Sequence, residues 1–192
     1  MALTRLGLNQ SINLASNVTG TLPVANGGTA LTSGFVNGGG VTEADQWRVT
    51  SDFTPGGTVT ANWERNDTNF DKLGTGMSES SGVFTFPSTG IWEVSWDVTL
   101  KHNGNSRELQ TRIQMTINDS AYSNIAENGS FVQQTDSNTT YAHGNANAIV
   151  DISDTTNRKV KFYFQNTGSV GNVDGSSGEN KTWATFIRLG DT

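Results

Sequence analysis

The sequence predicts an all-β fold, an antiparallel β-sandwich preceded by an extended N-terminal arm. Three observations carry this expectation. In GVFTFPSTGIWEVSWDVTL, Gly82 to Leu100, the residues Trp92, Val94, Trp96, Val98 and Leu100 are apolar while Glu93, Ser95, Asp97 and Thr99 are polar. That is the period of a strand with one buried face. The same period returns in several later segments, and helical patterning is almost absent. Composition is rich in Gly, Asn, Thr and Ser, which suits short strands, many turns and a surface wetted by amides and hydroxyls.

At 192 residues the chain suits one domain plus a smaller segment. A net charge of -6 and the lack of a basic cluster argue against nucleic acid and against an anionic membrane surface. No stretch is apolar for long enough to span a bilayer, so no membrane insertion is expected. The opening MALTRLGLNQSINLAS lacks the continuous apolar run of a signal peptide, which predicts synthesis in the cytoplasm without export. Cysteine is absent, removing disulfides, thiol catalysis and thiolate metal sites together.

Residues 1–40 read as the arm and 41–192 as the folded head. In the arm, Leu3, Leu6, Leu8, Ile12, Leu14, Val18 and Leu22 fall at mixed spacings that neither a strand nor a helix explains. It continues through Pro23 to Asn26-Gly27-Gly28 and Asn37-Gly38-Gly39-Gly40, a flexible or closely packed connection that marks the boundary. The segment TGTLPVANGGTALTSG, Thr19 to Gly34, resembles a sequence that recurs in bacteriophage tail fibres and related virion appendages. The resemblance implies an anchor or short shaft that contacts other virion proteins; a disordered leader is the plain alternative.

In the head, Trp47, Val49 and Phe53, a turn at Pro55-Gly56-Gly57, and Val59, Ala61 and Trp63 predict a hairpin. Phe84 and Phe86 precede a corner bracketed by Pro87 and Gly90, then the long Trp92–Leu100 strand follows. Lys101-His102-Asn103-Gly104-Asn105 predicts a second hairpin, with Leu109, Ile113, Met115 and Ile117 inward on its return strand. Further strands are expected at Ser130 to Gln134, at Tyr141 to Ile152 with Ala146, Ala148, Val150 and Ile152 inward, and at Lys159 to Gln165 with Val160, Phe162 and Phe164 inward. In the last strand, Thr182 to Leu189, one face carries Trp183, Ile187 and Leu189 and the other Ala184 and Phe186. Two apolar faces predict a central strand at a subunit contact, or else one covered by the loop Gly168 to Gly178.

The order Phe70-Asp71, Gly82-x-Phe84, Pro87-x-x-Gly90-x-Trp92-x-Val94, Val160-Lys161-Phe162-Tyr163 and Trp183-Ala184-Thr185-Phe186-Ile187-Arg188-Leu189 resembles the C1q and tumour-necrosis-factor (TNF) jelly roll. It covers roughly residues 45–190. The resemblance implies a jelly-roll head and a compact homotrimer, with Trp183, Ala184 and Phe186 at its interface. Trp92 stands where that family usually has tyrosine, and the cysteines of its secreted members are missing.

Catalysis has little to stand on. The two histidines, His102 and His143, sit in a turn and beside Gly144, no Gly-x-Ser-x-Gly elbow occurs, and Asp151 and Asp154 read as solvated strand-end charges. No cofactor is expected. Calcium is the one candidate metal, through Asp174 and Glu179 in the oxygen-rich stretch Gly171 to Glu179, although the stretch lacks the spacing of a known calcium loop. Asn-x-Ser/Thr triplets at Asn17, Asn66, Asn118, Asn128, Asn138 and Asn180 are what this composition gives by chance. The polar loops 103–107, 118–130, 135–141 and 168–180 are where a rigid sandwich would display recognition, and Tyr122, Phe131 and Tyr141 are the aromatic residues placed to stack on sugars.

Together these readings predict a non-enzymatic, trimeric phage fibre or capsid-decoration protein. Its arm would dock on the particle and its head would meet a host-surface glycan or protein. The rivals are a secreted C1q-like recognition module and a polysaccharide-degrading tail protein.

Overall fold

Thirteen strands run through the described residues: β1 (Ala44–Val49), β2 (Gly57–Thr58), β3 (Trp63–Arg65), β4 (Lys72–Leu73), β5 (Ser78–Ser80), β6 (Val83–Thr85) and β7 (Gly90–His102), then β8 (Ser106–Thr116), β9 (Tyr122–Val132), β10 (Thr140–Ile152), β11 (Lys159–Asn166), β12 (Gly171–Val173) and β13 (Trp183–Gly190). This computed structural model describes residues 40–192 except 55, 68, 135 and 167–170. The arm residues Leu3, Leu6, Leu8, Ile12, Leu14, Leu22 and Pro23 lie outside the described residues.

All pairings are antiparallel and form two sheets. The first runs β10-β7-β13-β1-β3, with β12 beside β7 and β4 beside β1; the second runs β5-β6-β11-β8-β9, with β2 beside β11. Strands that follow one another in sequence alternate between sheets at several points, which is a jelly-roll connection. The alternation in β7 is reproduced without a slip: Trp92, Val94, Trp96, Val98 and Leu100 are all buried.

Between the sheets lies an aromatic layer. Phe84 and Phe162 of the second sheet meet Phe186 and Trp96 of the first, with Phe84 and Phe186 ring centres 5.2 Å apart and Phe162 and Trp96 5.0 Å apart. Trp63 closes on Phe84 at 4.9 Å, edge to face. Toward β10 the filling changes. Its inward residues Ala142, Gly144 and Ala146 are small because the opposite sheet approaches closely there, and a Cβ at Gly144 would lie 2.4 Å from Thr111.

Five expectations are corrected by the structure. Lys101–Asn105 does not close a hairpin: β7 and β8 belong to different sheets, and the stretch carries the chain across the core. The first expected hairpin survives as β1 paired with β3, Val49 opposite Trp63, but the chain between them detours so that β2 pairs with β11 in the other sheet. Val59 and Trp63 turn inward as expected, whereas Ala61 is exposed. Ile117 lies beyond β8, in the turn before β9, and is exposed. The strand expected at Ser130 to Gln134 is the end of β9, whose earlier residues show no period of two because β9 is a sheet edge open on most of its length.

Phe162→Ala is expected to lower the unfolding free energy by about 3–5 kcal/mol. Phe131→Ala, at a side chain 67% exposed, is expected to stay within about 0.5 kcal/mol of the parent. Urea denaturation of the two variants checks both; equal losses would contradict the placement of the core.

Candidate ligand groove and assembly face

The outer face of the second sheet is set by parity. Because Phe84, Val160 and Phe162 point inward, Val83, Thr85, Lys159 and Lys161 must point outward. Register then places Ser78, Thr85, Lys159, Thr116 and Tyr122 in one row across β5, β6, β11, β8 and β9. Ser80, Val83, Lys161 and Gln114 form the next row. At one side the β5–β6 hairpin turns through Ser81 and Gly82, with φ of 52° and 80°, the conformation of a two-residue type I′ turn. Gly82 has no substitute, since a Cβ would come within 2.3 Å of the Val59 carbonyl oxygen.

At the other side stands the β8–β9 turn, organised by Asn118. Its Oδ1 accepts the Thr116 hydroxyl at 3.0 Å and the N–H groups of Ser120 and Ala121 at 3.1 and 3.0 Å. The Asp119 N–H donates to the Asn157 carbonyl at 3.0 Å, fixing the turn to the neighbouring loop. Between the two walls lies an open groove of about 450 Å³, lined by Ser80, Glu79, Asp119, Tyr122, Lys159 and Lys161 among others. Lys159 Nζ is 2.7 Å from Asp119 Oδ2, Lys161 Nζ lies 3.9 Å from the centre of the Tyr122 ring, and Glu79 Oε1 accepts the Gly82 N–H at 2.6 Å. Burial, then the Asp119 charge, pushes the Tyr122 phenol above its ordinary value, so its hydroxyl keeps its proton.

The outer face of the first sheet is different. Ile149, Glu93, Ile187 and Ala44 lie side by side across β10, β7, β13 and β1. Asn145, Asp97, Trp183 and Arg48 form a parallel row. The polar members hold one another: Asn147 Nδ2 donates to Glu93 Oε1 at 2.9 Å and Gln46 Nε2 to Thr185 Oγ1 at 3.1 Å. Ile149 is 68% exposed, and Leu189 is also exposed where pairing slips between Arg188 and Gly190. Trp183 and Ile187 are half-buried.

Of the three residues expected at a trimer interface, Ala184 and Phe186 are fully buried in the chain's own core. A side chain with no exposed surface cannot touch another subunit, so only Trp183 remains on an outer face. β13 is a central strand as expected, but its inner face is satisfied within the chain.

Asp174 and Glu179 do not form a metal centre. Asp174 is buried and already neutralised, with Lys101 Nζ 2.9 Å from Oδ1 and Lys181 Nζ 3.4 Å from Oδ2. Glu179 meets the same Lys181 at 3.7 Å. Lysine ammonium groups stand where a cation would. Among the described residues no cluster of three or more metal-ligating side chains occurs.

Tyr122, Phe131 and Tyr141 do not share a site. Tyr122 and Phe131 sit at opposite ends of β9, about 30 Å apart at strand rise. Tyr141 pairs with Lys101 in the other sheet, and both Phe131 and Tyr141 are exposed. Only Tyr122 enters the groove. His143 Nδ1 meets the Thr99 hydroxyl at 3.2 Å beside a cavity of about 80 Å³ that Asp97 and Lys181 also line. Asp154 accepts the Thr156 and Asn157 N–H groups and so organises a turn. Sequence reading missed Glu79, Asp119, Lys159 and Lys161. The one available signal was the outward polar set of each strand, which does not say which strands are neighbours.

No protein-family model matches this chain, and no curated protein matches it. Among solved structures it is similar to one described as the structure of Eiger TNF from S. frugiperda, with a TM-score of 0.57 over 80% of this chain and 95% of that one, at 10% identity. The two sheets and this likeness define the fold as a TNF-like jelly roll. At that identity the likeness concerns the fold alone.

The Lys101 cluster gives a pH prediction. Burial disfavours the Asp52 carboxylate, but hydrogen bonds from Lys101 and the Gly175 N–H outweigh it and hold its pKa below the ordinary 3.8. The Asp52 hydrogen bond likewise raises Lys101 above 10.5, against burial. The depressed carboxylate contributes stability above pH 3.8 that is lost as pH falls below it; the raised lysine contributes stability below pH 10.5 that is lost as pH rises past it. Asp52→Asn is therefore expected to lower the thermal midpoint at neutral pH and to flatten both limbs of its pH profile. A profile parallel to the parent's would contradict this.

Proposed function

We propose that this chain is a virion-associated protein of a bacteriophage, a homotrimeric fibre or capsid-decoration protein that works by binding. The arm over residues 1–40 docks on the particle or forms a short shaft, and the jelly-roll head projects outward to meet the host surface. The Thr19 to Gly34 segment supports the virion assignment. What supports assembly is the outer face of the first sheet, where Ile149 is exposed and Ile187 and Trp183 are half-buried, with no further sheet packed over them among the described residues. Copies of the same chain are the occupant: this face meeting a different patch of the next copy is a heterologous contact, which a threefold rotation closes into a ring. Three heads then present three copies of each weak contact, and avidity replaces single-site affinity.

Light scattering on the purified chain at micromolar concentration is expected to give the mass of three chains, and Ile149→Asp is expected to reduce it to one while the circular dichroism spectrum is unchanged. A monomeric parent would overturn the assembly. Deleting residues 1–40 is expected to abolish incorporation into particles and leave the head folded; retained incorporation would remove the arm's assigned role.

A further inference from the structure

We infer that the groove between the β5–β6 hairpin and the β8–β9 turn is a binding site for an uncharged, hydroxyl-rich saccharide. Its volume of about 450 Å³ falls in the ordinary range of small-ligand clefts, about 300–1,000 Å³.

The charge pattern selects the ligand class. Lys159 and Lys161 bring two positive charges and Glu79 and Asp119 two negative ones, so the groove sums to zero on a chain whose net charge is -6. A phosphate or a carboxylated sugar gains no net attraction there and meets two carboxylates. A metal ion is opposed by two ammonium groups. A sugar hydroxyl both donates and accepts, so an array of hydroxyls matches the whole set: it donates to Glu79 and Asp119 and accepts from Lys159, Lys161 and the serine hydroxyls.

The groove is also preorganised. Asn118 fixes the turn, the left-handed Asp119 at φ 55° aims its carboxylate at Lys159, and Lys161 holds the Tyr122 ring. Polar groups already held by partners lose little conformational freedom on binding. Tyr122 lines the groove half-buried; Lys161 covers one face of its ring, and the remaining ring surface and the hydroxyl are what a sugar ring with one C–H face would meet.

The site stands on the groove alone; that it meets a host surface rests on the reading in the preceding section. Saturation-transfer NMR on the full chain, with lactose, N-acetyl-D-glucosamine, L-rhamnose and 3′-sialyllactose as probes, tests it. At least one of the three neutral probes is expected to show transfer with an apparent Kd in roughly the millimolar range. Tyr122→Ala and Glu79→Gln are each expected to weaken it about tenfold, with Phe131→Ala unchanged. Ser80→Trp, at an exposed edge position, fills the groove without touching the core and is expected to abolish transfer even if Tyr122→Ala fails to fold. No transfer from any neutral probe, transfer from 3′-sialyllactose alone, or transfer that survives Ser80→Trp would overturn the assignment. Sugar binding by a chain that stays monomeric would leave the groove in place and remove the trimeric virion head; a trimer that binds no probe would do the reverse.

Discussion

Contact between Phe84 and Phe162 of one sheet and Phe186 and Trp96 of the other is the constraint on which the remainder depends. Neither sheet is stable with a bare apolar face, and the four rings fill the space between them at van der Waals distance. Edge-to-face and tilted pairs add about 0.5–1.5 kcal/mol each beyond the burial of their area. Once these rings are inside, the pleat decides everything on the outside. Lys159 and Lys161 face solvent because Val160 and Phe162 do not, and Trp183 and Ile187 face outward because Ala184 and Phe186 fill the core.

At the margin of the aromatic layer the packing becomes polar. Asp45 is buried in β1 and accepts Arg65 Nε at 3.0 Å, Trp47 Nε1 at 2.9 Å and the Met77 N–H at 2.7 Å. Arg65 also lies over the Trp47 ring at 4.7 Å and donates to the Met77 carbonyl at 2.6 Å. A buried carboxylate costs several kcal/mol unless it is paired and hydrogen-bonded, and here the two Met77 bonds draw the 74–77 stretch onto β1 and β3. This node fixes the start of β5, and hence one wall of the groove. A charge cluster in one sheet thereby positions a surface in the other.

The two outer faces have different chemistry for a physical reason. In the first sheet the β10-β7-β13-β1 surface spans four strands, with polar groups bonded to one another and isoleucines between them. In the second sheet a hairpin and a turn rise on two sides, leaving a concavity whose polar groups face the opening. Concave sites with a few convergent polar groups favour small ligands.

The strand period and the turn residues were enough to determine the all-β class, most strands, and which side chains of β7, β10 and β11 enter the core. Alternation is a local property, written residue by residue. What followed Lys101–Asn105 was beyond that reach, because a turn back along the same sheet and a crossing to the opposite one use the same residues. Nor did local pattern separate the two faces of β13: Phe186 and Trp183 are both aromatic, and only the partner sheet shows that one is core and the other surface. The groove is the extreme case. Its carboxylates and lysines come from positions 79, 119, 159 and 161, on segments brought together by pairing of β6 with β11 and β11 with β8. Sequence alone determined what each strand would bury; tertiary structure decided which strands would be neighbours, because strand pairing is a long-range hydrogen-bonded contact that no short window of sequence contains.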